Sequence, residues 1–269
     1  ATYTGLLLIG DPHLTSRIPG FRQDDYPQTV LGKLAWCFDY ARQHKLLPAL
    51  LGDVFDKPRD NANWLVVRLL ELFSPTVCAV VGNHDCHHRG RLDNDDTLSI
   101  LVKAGAVRVL DQSPWIGAVS GRTLALCGTS WGQPLSEALP EDLAAAITRF
   151  DVDPANRLTA TADPLVVWLT HHDLCVPGGM ETGITPCEIP GVDLVINGHL
   201  HRPLPDVEAG RTRWLTPGNI SRVKRGDHSR EKVPLVLRID VAADGWSAQS
   251  VEVPHRPYDD VFYPDVEAA

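Results

Sequence analysis

Short apolar runs that break off abruptly into polar residues recur along the chain. Gly5-Leu6-Leu7-Leu8-Ile9-Gly10 leads into Asp11-Pro12-His13, Leu47-Pro48-Ala49-Leu50-Leu51 into Gly52-Asp53, and Val77-Cys78-Ala79-Val80-Val81 into Gly82-Asn83-His84-Asp85. Later, Leu165-Val166-Val167-Trp168-Leu169-Thr170 leads into His171-His172-Asp173, and Asp193-Leu194-Val195-Ile196-Asn197 into Gly198-His199-Leu200-His201. Continuous Val- and Leu-rich runs of this length predict strands covered on both faces, and the third reads as a central parallel strand. Ligands of open α/β sheets bind just beyond the carboxyl ends of such strands. Five polar endings at one end of a sheet would gather carboxylates, imidazoles and a carboxamide in one pocket, the ligand types of a two-metal hydrolytic site.

Between these runs the period lengthens. Val30, Leu31, Leu34, Phe38 and Ala41 recur at helical spacing within 27–42, where Pro27 suits a first turn, and Leu65, Leu69, Leu70 and Phe73 share one face of a helix over 61–73. The alternation predicts a βαβαβ start with right-handed crossovers. A helix over 95–104 should end at Gly105, followed by a short strand over 107–110. Segments 115–118 and 123–127 should pair through a Ser120-Gly121 turn, and 139–147 is a helix with acids near its start. Residues 151–163 read as a loop. After His201 the texture turns to β, with strands expected over 213–216, 234–241 and 246–253 that form a second sheet stacked on the first. Residues 1–254 are thus expected to form one domain, and 255–269, rich in Pro, Tyr and Asp, a surface tail. Trp36, Trp64 and Trp168 are expected in the core.

Composition narrows the partners. With 269 residues, 43% hydrophobic and 22% charged, the chain is ordinary for a globular protein and can bury a substantial core. No apolar run approaches the ~20 residues a bilayer span needs, so no membrane span is expected, and residues 1–4 carry no basic region followed by an apolar stretch, so a signal peptide is expected only as one already cut away. Cys37, Cys78, Cys86, Cys127, Cys175 and Cys187 show no paired spacing, which favours reduced thiols and a cytoplasmic location over disulfides or a structural zinc site. The net charge of −9 argues against a generally basic nucleic-acid-binding surface, yet bound dications and a local basic loop can offset repulsion at a nuclease site. Arg222, Lys224, Arg225, Arg230 and Lys232 supply such a loop, readable either as a solvated segment with internal ion pairs or as a phosphate contact.

Taken in order, Asp11-x-His13, Gly52-Asp53-x-x-Asp56, Gly82-Asn83-His84-Asp85, His171 and Gly198-His199-x-His201 resemble the signature of the calcineurin-like metallophosphoesterases, over about residues 5 to 222. The resemblance implies an α/β protein of two stacked mixed β-sheets flanked by helices, in four layers α/β/β/α. It also implies one metal held by Asp11, His13, Asp53 and His201 and a second held by Asp53, Asn83, His171 and His199, with Asp53 as the bridge. His172 stays an alternative to His171, because neighbouring side chains on an extended segment point opposite ways. Mixed nitrogen and oxygen donors favour two divalent ions such as Mn²⁺, with Fe²⁺ or Zn²⁺ as alternatives, over Mg²⁺. The same resemblance places His84 beside the leaving group as a catalytic residue and has Asp85 orient its imidazole, while Asp56 braces its loop.

Within the superfamily, Phe21-Arg22-Gln23-Asp24-Asp25-Tyr26, Gly52-Asp53-Val54-Phe55-Asp56-Lys57-Pro58 and the helix after Asp85 are most similar to the SbcD-type DNA repair nuclease subunit. That similarity implies a phosphodiesterase with nucleic acid as substrate. Small phosphodiesters such as cyclic nucleotides or dinucleotides are the alternative substrates, and a non-catalytic binding module is a third reading. The capping domain and ATPase-binding segment of those nucleases are not implied here, so an ATPase partner or a homodimer is left open.

Overall fold

β1 (Gly5–Ile9) is buried at every position, as a strand must be when both faces of its sheet are covered. In the computed structural model, which describes residues 3–152 and 163–264, it begins an alternation with α1 (Tyr26–Gln43), β2 (Leu46–Leu50), α2 (Asn63–Leu72), β3 (Val77–Ala79), α3 (Thr97–Lys103) and β4 (Val107–Val109). These four strands pair in parallel in that order. The hairpin of β5 (Trp115–Val119) and β6 (Arg122–Thr129) turns at Ser120 and Gly121, whose φ values of 49° and 79° match the twist of the strands. There follow α4 (Glu141–Val152), β7 (Leu165–Thr170), β8 (Leu194–Asn197), β9 (Pro203–Ala209), β10 (Thr212–Pro217), α5 (Asp227–Glu231), β11 (Leu235–Ala242), β12 (Gly245–Glu252) and α6 (Tyr258–Val261). Of the loop expected over 151–163, residues 151 and 152 belong to α4 and 153–162 lie outside the described residues.

The described strands form two six-stranded sheets, ordered β12-β11-β1-β2-β3-β4 and β5-β6-β7-β8-β10-β9. Alternation along each strand sends neighbouring side chains to opposite faces. Leu6, Leu8 and Leu47 of the first sheet meet Leu124, Leu126, Val167 and Ile196 of the second. Leu7, Ile9 and Leu50 face the other way, onto Leu34 of α1 and Leu65 and Leu69 of α2, while Val166, Trp168 and Val195 pack on Leu143 and Ile147 of α4. This is the expected order of layers: helices, sheet, sheet, helix. Each such fully buried leucine contributes about 1.5–3 kcal/mol.

Particular expectations change. β3 is an interior parallel strand, buried and paired with β2 on one side and β4 on the other, although β1 and β2 hold the middle of the sheet. Val80 and Val81 continue its apolar run outside the strand, buried, toward the polar residues that follow. The late β segments do not make up one sheet: β10 extends the second, whereas β11 pairs antiparallel with β1 and β12 with β11, completing the first. Alternation within a strand says which face is apolar but not which sheet the strand joins. β9 has no counterpart among the expected strands because it is an edge strand, largely exposed and bearing Pro203, Asp206 and Glu208. Trp168 is buried with its Nε1 donating to Thr129 Oγ1 (2.9 Å), but Trp64 is 40% exposed on α2.

The stretch expected as a surface tail folds back as far as residue 264 is described. Tyr258, Val261 and Phe262 bury their side chains against Phe21, and the Arg22 guanidinium lies 4.6 Å from the Phe262 ring. Arg230 pairs with Asp259 at 2.8 Å. The chain end thereby ties the loop after β1 to the segment before β11. All six cysteines are free, and among the described residues no helix is long and apolar enough to cross a membrane.

Candidate metal centre

Asp11 and His13 follow β1, Asp53 follows β2, Asn83 to Asp85 follow β3, His171 follows β7, and His199 and His201 follow β8. The first three strands belong to one sheet and the last two to the other, so the polar residues converge across the seam between sheets and not at the end of a single sheet. Asp11, His13, Asp53 and His199 have φ of 35°, 49°, 47° and 67°. Non-glycine residues held in that region cost about 1–3 kcal/mol each and persist only where the surroundings enforce them.

His13 Nε2 lies 2.9 Å from His201 Nε2 and 3.6 Å from Asp53 Oδ2, and His201 Nε2 lies 3.7 Å from Asp11 Oδ2. On the other side, His171 Nε2 lies 3.3 Å from Asp53 Oδ2 and 3.2 Å from Asn83 Oδ1, while its Nδ1 donates to the Leu51 carbonyl at 2.6 Å. Possible ligand atoms fall into three overlapping groups, each within 4.8 Å: Asp11 with His13 and His201, Asp53 with His171 and His199, and His13 with Asp53 and His84. Asp53 belongs to two of these groups, which is the position a bridging carboxylate requires.

The residues fit a pair of dications. Both carboxylate oxygens of Asp11 and the Nδ1 of His13 are buried without a hydrogen-bond partner, an arrangement that is costly unless a cation pairs with them. Burial lowers the pKa of His13 and of His199, and burial together with the charge of Lys232 takes His201 to about 4. These imidazoles are neutral at pH 7, with lone pairs available as ligation demands. Burial raises Asp11, whereas Asp53, which burial would also raise, is held low by the charge of His171 and its hydrogen bond. Burial would lower His171, yet the charges of Asp53 and Asp11 carry it to about 9. A proton on His171 thus supplies positive charge that dications would supply in its place.

A model of the calcineurin-like phosphoesterase family matches residues 5–203. The chain belongs to that family. Metal-dependent hydrolysis of phosphoesters is the chemistry that membership supports, and the Asp/His groups are consistent with a binuclear centre. No curated protein matches the sequence. Among solved structures, this calcineurin-like phosphoesterase is similar to a hypothetical protein from Thermus thermophilus, with 13% identity and a TM-score of 0.49 over 93% of this chain and 99% of that one. It is also similar to a predicted phosphoesterase from Streptococcus pneumoniae (12% identity, TM-score 0.40, 95% and 93% covered) and to Vacuolar Protein Sorting 29 from Cryptosporidium parvum (14%, 0.35, 95% and 100%).

In this phosphoesterase the residues around the cage take roles that differ in part from those expected. The His84 ring donates from Nδ1 to the Asp56 carbonyl (2.7 Å) and stands edge-on to His13, while its backbone N–H donates to Asp53 Oδ1 (2.8 Å). Asp85 does not orient that imidazole. Its carboxylate instead accepts the backbone N–H groups of Phe55 and Gly82, each at 3.0 Å, and so joins the chain after β2 to the chain after β3. Burial and the charge of Asp53 raise the Asp85 pKa. His171 is the member of the His-His pair that enters the cage, whereas His172 points its Nε2 at the Gln133 carbonyl (2.9 Å). Asp173 was missed from the sequence; its Oδ1 lies 2.9 Å from His199 Nε2, which leaves Nδ1 of that ring for a metal. Its one sequence signal is its place two residues after His171.

Gly82 of the phosphoesterase is required by close approach, since a Cβ there would strike the carboxylate and backbone nitrogen of Asp53. Gly82→Ala is expected to displace Asp53 and weaken dication binding by about 10–100-fold. Calorimetric titration of the variant with Mn²⁺ checks this, and unchanged affinity would show that Asp53 is not tightly seated.

Proposed function

We propose that the protein is a two-metal phosphodiesterase acting on nucleic acid strands, a DNA nuclease of the SbcD type. The observation that carries the reading is the place of Asp53 between the two halves of the cage, its Oδ2 3.6 Å from His13 Nε2 and 3.3 Å from His171 Nε2, while the His84 ring is hydrogen-bonded through Nδ1 to the Asp56 carbonyl. The cage is reachable, because the His201 side chain is 43% exposed and that of His199 22%. Exposed cations stand on the loops that follow β1 (Arg17), β2 (Lys57), β3 (Arg89), β8 (Arg202) and β10 (Lys224), on a chain whose net charge is −9. A polyanion would therefore meet local positive charge at this end of the molecule.

Asp11, His13, Asp53 and His201 would hold one dication and Asp53, Asn83, His171 and His199 the other. When bound, the pair supplies charge neutralisation for the phosphoryl group and a nucleophilic water at neutral pH. Mn²⁺ suits the donors, as do Fe²⁺ and Zn²⁺. His84, with Nδ1–H fixed on the Asp56 carbonyl, would as the imidazolium give the proton on Nε2 to the leaving oxygen and return to the neutral ring. Asp85 keeps the loops carrying Asp53 and His84 in register.

An activity panel with Mn²⁺ tests the reading, comparing single-stranded DNA, duplex DNA, RNA, a cyclic dinucleotide and bis-p-nitrophenyl phosphate. Cleavage of DNA is the expected result. Turnover of the cyclic dinucleotide without cleavage of any strand would replace it with a small-phosphodiester hydrolase, and turnover of nothing by metal-loaded protein would leave a binding module.

A further inference from the structure

Asp11 is held from behind by a segment more than 200 residues away in the chain. Its carbonyl accepts the Ser221 hydroxyl at 3.1 Å and the Asn219 amide at 3.5 Å, and Asn219 Nδ2 also reaches Ser221 Oγ at 3.4 Å. Both residues are buried. The approach is close: Ile220 N–H donates to the Gly10 carbonyl at 3.1 Å, and a Cβ on Gly10 would strike the Gly218 carbonyl. With φ at 35°, Asp11 sits where a non-glycine backbone does not rest unaided.

The segment is itself fastened by three basic side chains from separate parts of the chain. Lys33 of α1 donates to the Ile220 carbonyl (2.8 Å), Lys232 to the Ser221 carbonyl (2.8 Å), and Arg22 to the Arg222 carbonyl (2.9 Å). Lys232 alone among these also bonds a side chain that touches Asp11, donating to Asn219 Oδ1. Arg222 in turn binds the Lys232 carbonyl through Nε and Nη2 at 3.0 and 2.9 Å. Two members of the basic cluster read from the sequence, Arg222 and Lys232, therefore point inward at the backbone.

We infer that Asn219, Ser221 and Lys232 form a positioning network for Asp11, making the metal shared by Asp11, His13 and His201 dependent on the segment that follows β10. The inference rests on the two-metal reading. It makes Lys232 a positioning residue, acting through Asn219 and Ser221, with no part in holding a metal or substrate.

The sign of one substitution separates positioning from charge. A protonated amine near Asp11 and His201 repels a dication and a neutral one does not, so removing the charge of Lys232 alone would leave metal binding equal or tighter. Loss of positioning does the opposite, and displaced supporting partners lower metal affinity by about 10–100-fold. Lys232→Met and Ser221→Ala, made in the full chain, are titrated with Mn²⁺ by calorimetry and examined by electron paramagnetic resonance. One of two Mn²⁺ sites is expected to weaken by that factor in Lys232→Met, and less in Ser221→Ala, with the signal of a coupled Mn²⁺ pair giving way to that of isolated Mn²⁺. Equal or tighter binding with the coupled signal intact overturns the inference. If Lys232→Met does not fold, Ser221→Ala, which loses one hydroxyl, decides by the same readouts. A wild-type protein that takes up fewer than two Mn²⁺ overturns the two-metal reading and this inference with it, a failure seen before any variant is made.

Discussion

Asp53→Ala is expected to lower phosphoester hydrolysis by more than about 10³-fold, beyond what one lost electrostatic donor costs, and to leave at most one tightly bound dication per chain. A single carboxylate links the two halves of the site: Oδ2 lies 3.3 Å from His171 Nε2 and 3.6 Å from His13 Nε2, and Oδ1 accepts the His84 N–H. Its removal would take a ligand from both proposed metal groups and free the backbone N–H of His84. It also removes the charge that does most to raise the His171 pKa. Metal content by mass spectrometry of Mn²⁺-loaded protein, with initial rates on the active members of the substrate panel, checks the result. Two retained metals and more than a tenth of the activity would take Asp53 out of the bridging position.

His84→Ala is expected to lower kcat by about 10²–10⁴-fold, the range of a lost general acid, while both dications stay bound. The ring is anchored to a carbonyl and not to the carboxylates, and the bond to Asp53 comes from the backbone N–H, which alanine keeps. The defect should shrink on a p-nitrophenyl ester, because p-nitrophenolate leaves without needing a proton. Single-turnover rates on DNA and on bis-p-nitrophenyl phosphate, beside metal analysis, make the comparison. If His84→Ala loses a metal, the group formed by His13, Asp53 and His84 is a true ligand set, and the proton-donor role falls.

Much of the cage was legible because its signals are local. An apolar run that stops at Asp11, Asp53, Asn83, His171 or His199 marks a strand end, and strand ends of α/β sheets are where ligand-binding side chains collect. Asp85 shows where local reading stopped working. Its neighbour in sequence is His84, but its carboxylate is aimed at the Phe55 and Gly82 N–H groups, a partnership set by how two loops pack. The partners of Asp173, Asn219 and Lys232, at His199, Asp11 and Ser221, are likewise set by packing and not by their neighbours in sequence.

The sequence by itself determined the described strands apart from the edge strand β9, the helices α1 to α4 between them and the chemical types at the strand ends, since hydrophobic period and chain breaks are properties of neighbouring residues. Only the tertiary structure decided that the cage spans two sheets, that β11 and β12 complete the first of them, and that His171 and not His172 enters the cage. It alone brought Ser221 under Asp11, 210 positions away. Such choices depend on which surfaces meet across the molecule, and alternation along one strand is satisfied equally well by partners it never meets.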